Sequence, residues 1–408
     1  MLTPVPPDRD APGAIGPLLA AQLDGLSARN EVTVVCVAGP DPAELESARR
    51  LKAAGFDVHP VLRVNAGGAA AWGRRARYAY GWLALRRPWR TVWYADAGIP
   101  DTVGVLLAKR CFDVLAAEDD AMGVFDFDRR VPSVLTVHEL GQAPPARSSG
   151  PLAPARDLLA DLNSRRRPRY QREVCRRFRL LVVYTEADRA RLAGLDPSLE
   201  SRVRVSPFGI ELPAVPDGDL EEPDTLLFAG NYWHSPNVEA AIWLAREILP
   251  RVRSLRPAAR LRLIGVAAPS AVSELAELPG VDFLGRVERL GPHLARAAVV
   301  LAPVRSGGGM RMKVLHAMAC GRAVVTTPLG AEGLTDGGPP PLVIGRNAQE
   351  LAASTAALLA DDAARRALAR EARAFVEERH GPDAVARRLE RVYAEASALS
   401  DDAPPARR

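Results

Sequence analysis

The sequence predicts an α/β protein of two doubly wound domains facing a cleft, and three observations carry that reading. The chain has 408 residues, more than one ordinary core of about 150 residues accommodates. Short apolar runs alternate with helical stretches in both halves, as parallel strands covered on both faces do. Between the halves, residues 213–224 (PAVPDGDLEEPD) are rich in Pro, Gly and acid and carry no apolar period, which marks a linker.

In chain order, the opening MLTPV leaves room for only a short first strand, or the true start lies upstream. Further strands are expected at Glu31–Ala38, Asp57–Leu62, Val114–Glu118, Ser133–Glu139, Leu180–Thr185 and Val203–Phe208. Helical stretches such as Ile15–Arg29, Pro42–Ala54, Ala69–Leu85 and Pro154–Arg177 separate them. The second half repeats the theme with strands at Thr225–Gly230, Ala259–Gly265, Val281–Gly285, Ala298–Pro303, Ala323–Pro328 and Pro341–Gly345. It closes on helices Asn347–Ala360, Asp362–Arg379 and, after a His380-Gly381-Pro382 break, Pro382–Leu399. The expected domains are 1–212 and 213–381, with a helix at 382–400 returning to the first domain and a disordered tail at 401–408.

Composition excludes several classes. Hydrophobic residues are 48% and charged residues 25%, values of a folded globular chain. No window of about 18 residues is free of charge, so no membrane-spanning helix is expected. MLTPVPPDRD lacks the pattern of a secretory signal, and four scattered cysteines form no CxxC pair. Together these point to a reducing, cytoplasmic setting. The net charge is only +5, and no nucleic-acid motif accompanies it.

The densest candidate site is PVRSGGGMRMKVLHAMACG, Pro303–Gly321. Glycines Gly307, Gly308 and Gly309 sit between a strand end and a helix expected from Met310 to Cys320. Backbone N–H groups there approach an anion, and the helix dipole favours it. Arg311 and Lys313 lie in the first turn, where cations oppose the dipole unless an anion binds between them. A flexible Gly-rich turn with two solvated cations is the bland alternative. In the first half, His138-Glu139 ends a strand; HELGQ is not HExxH, so no zinc site follows. Three Asp-x-Asp patterns (Asp8–Asp10, Asp126–Asp128, Asp217–Asp219) fall in loops and read as solvated acids, so no essential metal is expected. Eight arginines crowd Arg165–Arg179. They suit either an anionic membrane surface or lipid-diphosphate acceptor, or simply a solvated helix.

The run LLFAGNYWHSPNVEAAIWLAREILPRVR, then LRLIG, VDFLGRVERL and VVLAPVRSGGGMRMKVLHAMACGRAVVTTPLGAEGL, resembles the nucleotide-sugar half of glycosyltransferase family 4 enzymes. These retaining, group 1 glycosyltransferases have the GT-B architecture of two Rossmann-like domains. FDVLAAEDDAM, PSVLTVHELG and LLVVYTEADRARL extend the likeness into the first half. The resemblance implies that Gly308, Gly309 and Met310 offer N–H groups to the donor, while Arg311 and Lys313 neutralise the departing diphosphate. It places His138 near the transferred sugar, with Glu139 beside it, and assigns loops holding Gly13, Gly16, Gly230, Asn231 and Asn237 to substrate. His316 stands where many members carry a ribose-binding glutamate; an imidazole grips two hydroxyls less well, and Glu332 in the next loop is the compensating candidate. The implied activity is metal-independent sugar transfer to a hydroxyl in cell-surface polysaccharide or glycolipid synthesis. No cofactor is needed beyond the nucleotide-sugar co-substrate, and the other partner is a glycan or lipid-linked acceptor. Two rivals remain: a degenerate relative that binds without turnover, and an NAD enzyme, the latter opposed by the lack of GxGxxG after a first strand.

Overall fold

The structure, a computed structural model, describes all residues except 10, 12–14, 40, 64–67, 95–97, 129, 141–152, 215–219, 267–268, 308–311, 335–337 and 400–408. The described chain forms two compact units. The first takes Met1–Phe208 together with the C-terminal helix from Val385 on; the second is Gly209–Ala384.

The first unit is built on a seven-stranded parallel sheet: β1 (Leu2–Thr3), β2 (Thr33–Ala38), β3 (Asp57–Leu62), β4 (Leu115–Glu118), β5 (Ser133–Thr136), β6 (Leu180–Val183) and β7 (Val203–Val205). Their order is β3-β2-β1-β4-β5-β6-β7, so the winding reverses between β1 and β4. β1 is only two residues long but lies in register between Val35 of β2 and Ala117 of β4. Successive residues of a strand enter different clusters. Val35 and Val37 join one core, Val34 and Cys36 another; Leu181 and Val183 join the first, Leu180 and Val182 a third. That period of two with both faces covered is why these strands read as unbroken apolar runs.

The helix Pro382–Ala398 places Val385, Ala386, Leu389, Val392 and Ala396 on one stripe against Leu26, Val134, Leu180 and Val182. Glu390 accepts from Arg29 Nε at 3.0 Å and Asn30 Nδ2 at 2.7 Å. Arg204 pairs with Glu395 on the same helix.

The second unit holds a six-stranded parallel sheet: β8 (Thr225–Ala229), β9 (Arg260–Ile264), β10 (Val281–Gly285), β11 (Val299–Ala302), β12 (Ala323–Thr326) and β13 (Val343–Ile344). Its order, β10-β9-β8-β11-β12-β13, reverses between β8 and β11. The helical run 235–255 widens to a π turn at Leu244–Ile248, just before Pro250, whose missing N–H interrupts the α ladder. Asn347 and Glu350 cap the helix Ala348–Ala360 reciprocally, Asn347 Oδ1 accepting from Glu350 N at 2.9 Å.

The arginine-rich stretch lies on the helix Ala153–Cys175 and the turn after it, and seven of its eight arginines meet partners within the unit. Arg166 donates to Trp82 O and lies 4.4 Å from the Trp82 ring centroid. Arg167 meets Glu139 and Arg169 meets Glu173. Arg172 donates to Leu195 O, Arg176 to Asp196, Arg177 to Gly123 O and Phe125 O, and Arg179 to Ala396 O. These bonds tie loops together, while Arg165, Arg169, Arg172 and Arg176 stay at the surface. Three of the acids noted in Asp-x-Asp patterns are ion-paired, Asp8 with Arg50, Asp126 with Arg177 and Asp128 with Arg130. Among the described residues, no helix is long and apolar enough to cross a membrane.

Candidate functional site

Ligands of doubly wound sheets sit beyond the carboxyl ends of the strands, where the winding reverses. In the second unit that place lies beyond β8 and β11. After β8 the chain turns at Gly230, whose N–H bonds Ile264 O at 2.9 Å. A Cβ on Gly230 would stand 3.0 Å from Asn237 Cγ, so glycine lets the Asn237 amide close on the turn. Asn231 Oδ1 accepts from Trp233 N at 3.0 Å, an Asx turn, and Asn231 O accepts from Asn237 Nδ2 at 2.7 Å. Tyr232 is buried and packs against Gly265, while Trp233 is 79% exposed.

Lys313 comes from the helix Met312–Ala319 beyond β11. Its ammonium donates to Asn237 Oδ1 and lies 4.6 Å from the Phe228 ring centroid. Gly230, Asn231, Asn237 and Lys313 are thus one assembly, spanning the two strands that flank the reversal. Gly307, at φ +95°, breaks the extended chain leaving β11. Just before it, Arg305 and Ser306 are held by Glu239, at 2.9 Å each, and Arg305 stacks over Trp243 at 4.3 Å. Gly308, Gly309, Met310 and Arg311 lie outside the described residues, as does Gly13 of the first unit.

Glu332 is half-buried in the turn after β12. Thr327 Oγ1 donates to Val304 O and accepts from Gly330 N at 3.0 Å, which ties that turn to the segment leading to Gly307. His316 is one turn beyond Lys313 on the helix. Burial lowers its pKa from 6.5 to about 4, so the ring is neutral near pH 7. The unfolded ring takes up its proton near pH 6.5 and the folded one near 4. Stability is therefore complete above about 6.5 and falls as the pH drops toward 4. His316→Gln should abolish this loss, about 2.5 kcal/mol over the two units from pH 6.5 to 4.5 at 1.36 kcal/mol per unit, in urea titrations compared at pH 7 and pH 4.5.

In the first unit the corresponding reversal lies between β1 and β4. Gly16 is buried near the start of the helix Ile15–Ser27. A Cβ there would stand 2.6 Å from Ala11 Cβ and 3.1 Å from Asp8 O, so glycine lets the opening loop fold onto the helix. β4 ends on Glu118, fully buried, which accepts from Gln22 Nε2 at 2.7 Å and Thr136 Oγ1 at 3.2 Å through Oε1. Its Oε2 lies 2.9 Å from His138 Nε2. The His138 ring leans on Tyr184 at 5.5 Å, and Phe208 meets Tyr184 edge-on at 5.3 Å. Asp119 follows at φ +78°, a conformation uncommon for a non-glycine residue, with its carboxylate capping Ala121 N at 2.9 Å. Glu139 is exposed, and its carboxylate lies 3.3 Å from Arg167 NH1. Buried Asp120 accepts from Gln171 at 2.8 Å; burial and the Asp119 charge push its pKa up to about 7.

Of the sequence candidates, His138 and Glu139 belong to the first unit's reversal point, and Gly230, Asn231, Asn237, Gly307 and Lys313 to the second's. Sequence reasoning missed Glu118, Gln22, Thr136 and Tyr184. Its available signal was an acid closing an otherwise apolar strand, VLAAE.

Residues 223–361 match the family described as "Glycosyl transferases group 1". No curated protein matches the chain. Among solved structures, HepE from Anabaena in complex with UDP and glucose is 14% identical, with 98% of this chain and 99% of that one covered and a TM-score of 0.64. Sucrose-phosphate synthase from Thermosynechococcus elongatus is 18% identical over 98% and 99%, with a TM-score of 0.65. A glycosyltransferase from Rickettsia africae is 10% identical over 98% of both chains, with a TM-score of 0.63. At such identities the structural likeness is one of fold, and that fold is GT-B. The family match falls within the second unit.

Proposed function

We propose that this chain, with its match to group 1 glycosyltransferases, moves a sugar from a nucleoside-diphosphate donor to an acceptor hydroxyl. The transfer is metal-independent and retains anomeric configuration, and the donor binds at the second unit's β8/β11 reversal. One observation carries the reading. Lys313 is set by Asn237 and Phe228 where a helix begins beyond the reversal, a cation for the diphosphate that leaves. HepE, with the same fold, is described in complex with UDP and glucose, which supports a nucleotide-sugar donor.

Chemically, the leaving diphosphate gains charge in the transition state, and stabilisation that grows with that charge accelerates transfer. By the family resemblance, Gly308, Gly309, Met310 and Arg311 add N–H groups and a second cation, and His138 meets the sugar. The half-buried, neutral His316 leaves Glu332 as the candidate ribose acceptor. The acceptor is a glycan or lipid-linked sugar of cell-surface synthesis, handled at the cytoplasmic side.

A thermal-shift panel of UDP-, GDP-, ADP- and dTDP-sugars tests the reading. One base should raise Tm by several degrees, through preferential binding to the folded state. The same donor should be turned over in EDTA. A silent panel would reject donor binding, a strict need for Mn²⁺ or Mg²⁺ would reject metal independence, and binding without nucleotide release would favour the non-catalytic reading.

A further inference from the structure

We propose that Glu118 is a positioning residue for His138: it takes the Nε2–H of the imidazole and leaves Nδ1 as the ring's acceptor toward substrate. The role toward substrate rests on the functional reading above; the tautomer does not.

The geometry argues for it in four steps. Glu118 is fully buried, and a buried acid without partners is costly. Its two oxygens meet three side chains, Gln22, Thr136 and His138, at 2.7, 3.2 and 2.9 Å. The Gln22 amide nitrogen can only donate, so Oε1 is an acceptor. An ionised carboxylate has no proton to give, so the ring nitrogen at 2.9 Å must be the donor. Nε2 therefore carries hydrogen in either charge state of the imidazole. In the neutral ring this leaves the lone pair on Nδ1, which has no hydrogen-bond partner among the described residues. Tyr184 against the ring, itself held edge-on by Phe208, restricts rotation. Glu118 ends β4 and His138 lies two residues past β5, whose Thr136 is in register with Glu118, so the sheet brings the two strand ends together. A carboxylate fixing the tautomer of a working imidazole is the established logic of oriented histidines.

¹⁵N-histidine NMR on the full chain tests the arrangement without substrate, with His138→Gln identifying the His138 signals. The wild-type chain at pH 8 should show the Nε2–H tautomer, and finding mainly Nδ1–H overturns the proposal. Glu118→Gln replaces an acceptor-only group with an amide that can also donate, so the single Nε2–H tautomer should give way to a mixture; an unchanged tautomer in the folded variant overturns it. In transfer assays Glu118→Gln should lower kcat about 10-fold or more and leave donor KM little changed. A folded Glu118→Gln chain with wild-type kcat, or with the loss confined to donor KM, overturns the positioning role. Because the tautomer is read in the free protein, its failure is separable from a failure of the functional reading.

Discussion

Lys313→Ala should lower kcat about 100- to 1000-fold, the range seen when one preorganised donor to a developing anion is removed. Each tenfold corresponds to about 1.36 kcal/mol of transition-state stabilisation. The ammonium is fixed before any donor arrives, by the Asn237 carbonyl oxygen and the face of Phe228. Little reorganisation is therefore needed when charge appears on the leaving diphosphate. Lys313→Met is the companion variant. It keeps an aliphatic stem over Phe228 and removes only the charge. If both variants fall together, the charge is responsible; if Met restores turnover, packing was. The Asn237 amide stays tied to Asn231 O at 2.7 Å in either case, which keeps the turn in place. Steady-state kinetics with the donor found in the thermal panel decides the matter. Wild-type kcat in both folded variants would remove the diphosphate from this helix.

Gly265→Ala should be the most damaging single methyl group in the second unit. A Cβ at Gly265 would overlap the Gly230 carbonyl oxygen, and Tyr232 Cε2 stands 2.5 Å from it. The obstacle is backbone, which cannot swing aside like a side-chain tip. The strand ends are also pinned, Gly230 N to Ile264 O at 2.9 Å and Gly265 N to Gly285 O at 2.8 Å. Relief means parting β8 from β9 or β9 from β10. Overpacking of a tight site costs about 3 kcal/mol, which lowers Tm by about 10 °C in a unit of this size. Donor affinity should fall as well, because the Gly230 turn carries Asn231 and positions Asn237. Calorimetry with and without donor reads both effects. An unshifted Tm would mean the two backbones are not in contact.

The strands were legible because the first unit's sheet buries both faces. Val34 to Val37 enter two clusters alternately, so the run has no polar side to hide it. β1 was hard to read because two residues carry no period. It is identified only by pairing with β2 and β4, a long-range fact. His138 was visible as a polar residue closing an apolar strand. Glu118 closes its expected strand in the same way, yet it was read only as that strand's last residue, and its partners Gln22 and Thr136 are distant in sequence. The arginine-rich helix could not be resolved from sequence for a related reason. Composition counts cations, whereas the fold decides whether each one meets a carbonyl, as Arg172 and Arg177 do. Lys313 was singled out by spacing; its dependence on Asn237, far along the chain, needed the sheet order.

The helix Pro382–Ala398 closes the first unit with the last stretch of the chain, after the second unit has been completed. Two covalent crossings therefore join the halves, and no single cut yields both as whole pieces. A ribosome finishing the second half has yet to supply the stripe that covers Leu26, Val134, Leu180 and Val182. The first half thus matures last although it is made first, and an isolated version would have to splice residue 208 to the segment from Val385 onward.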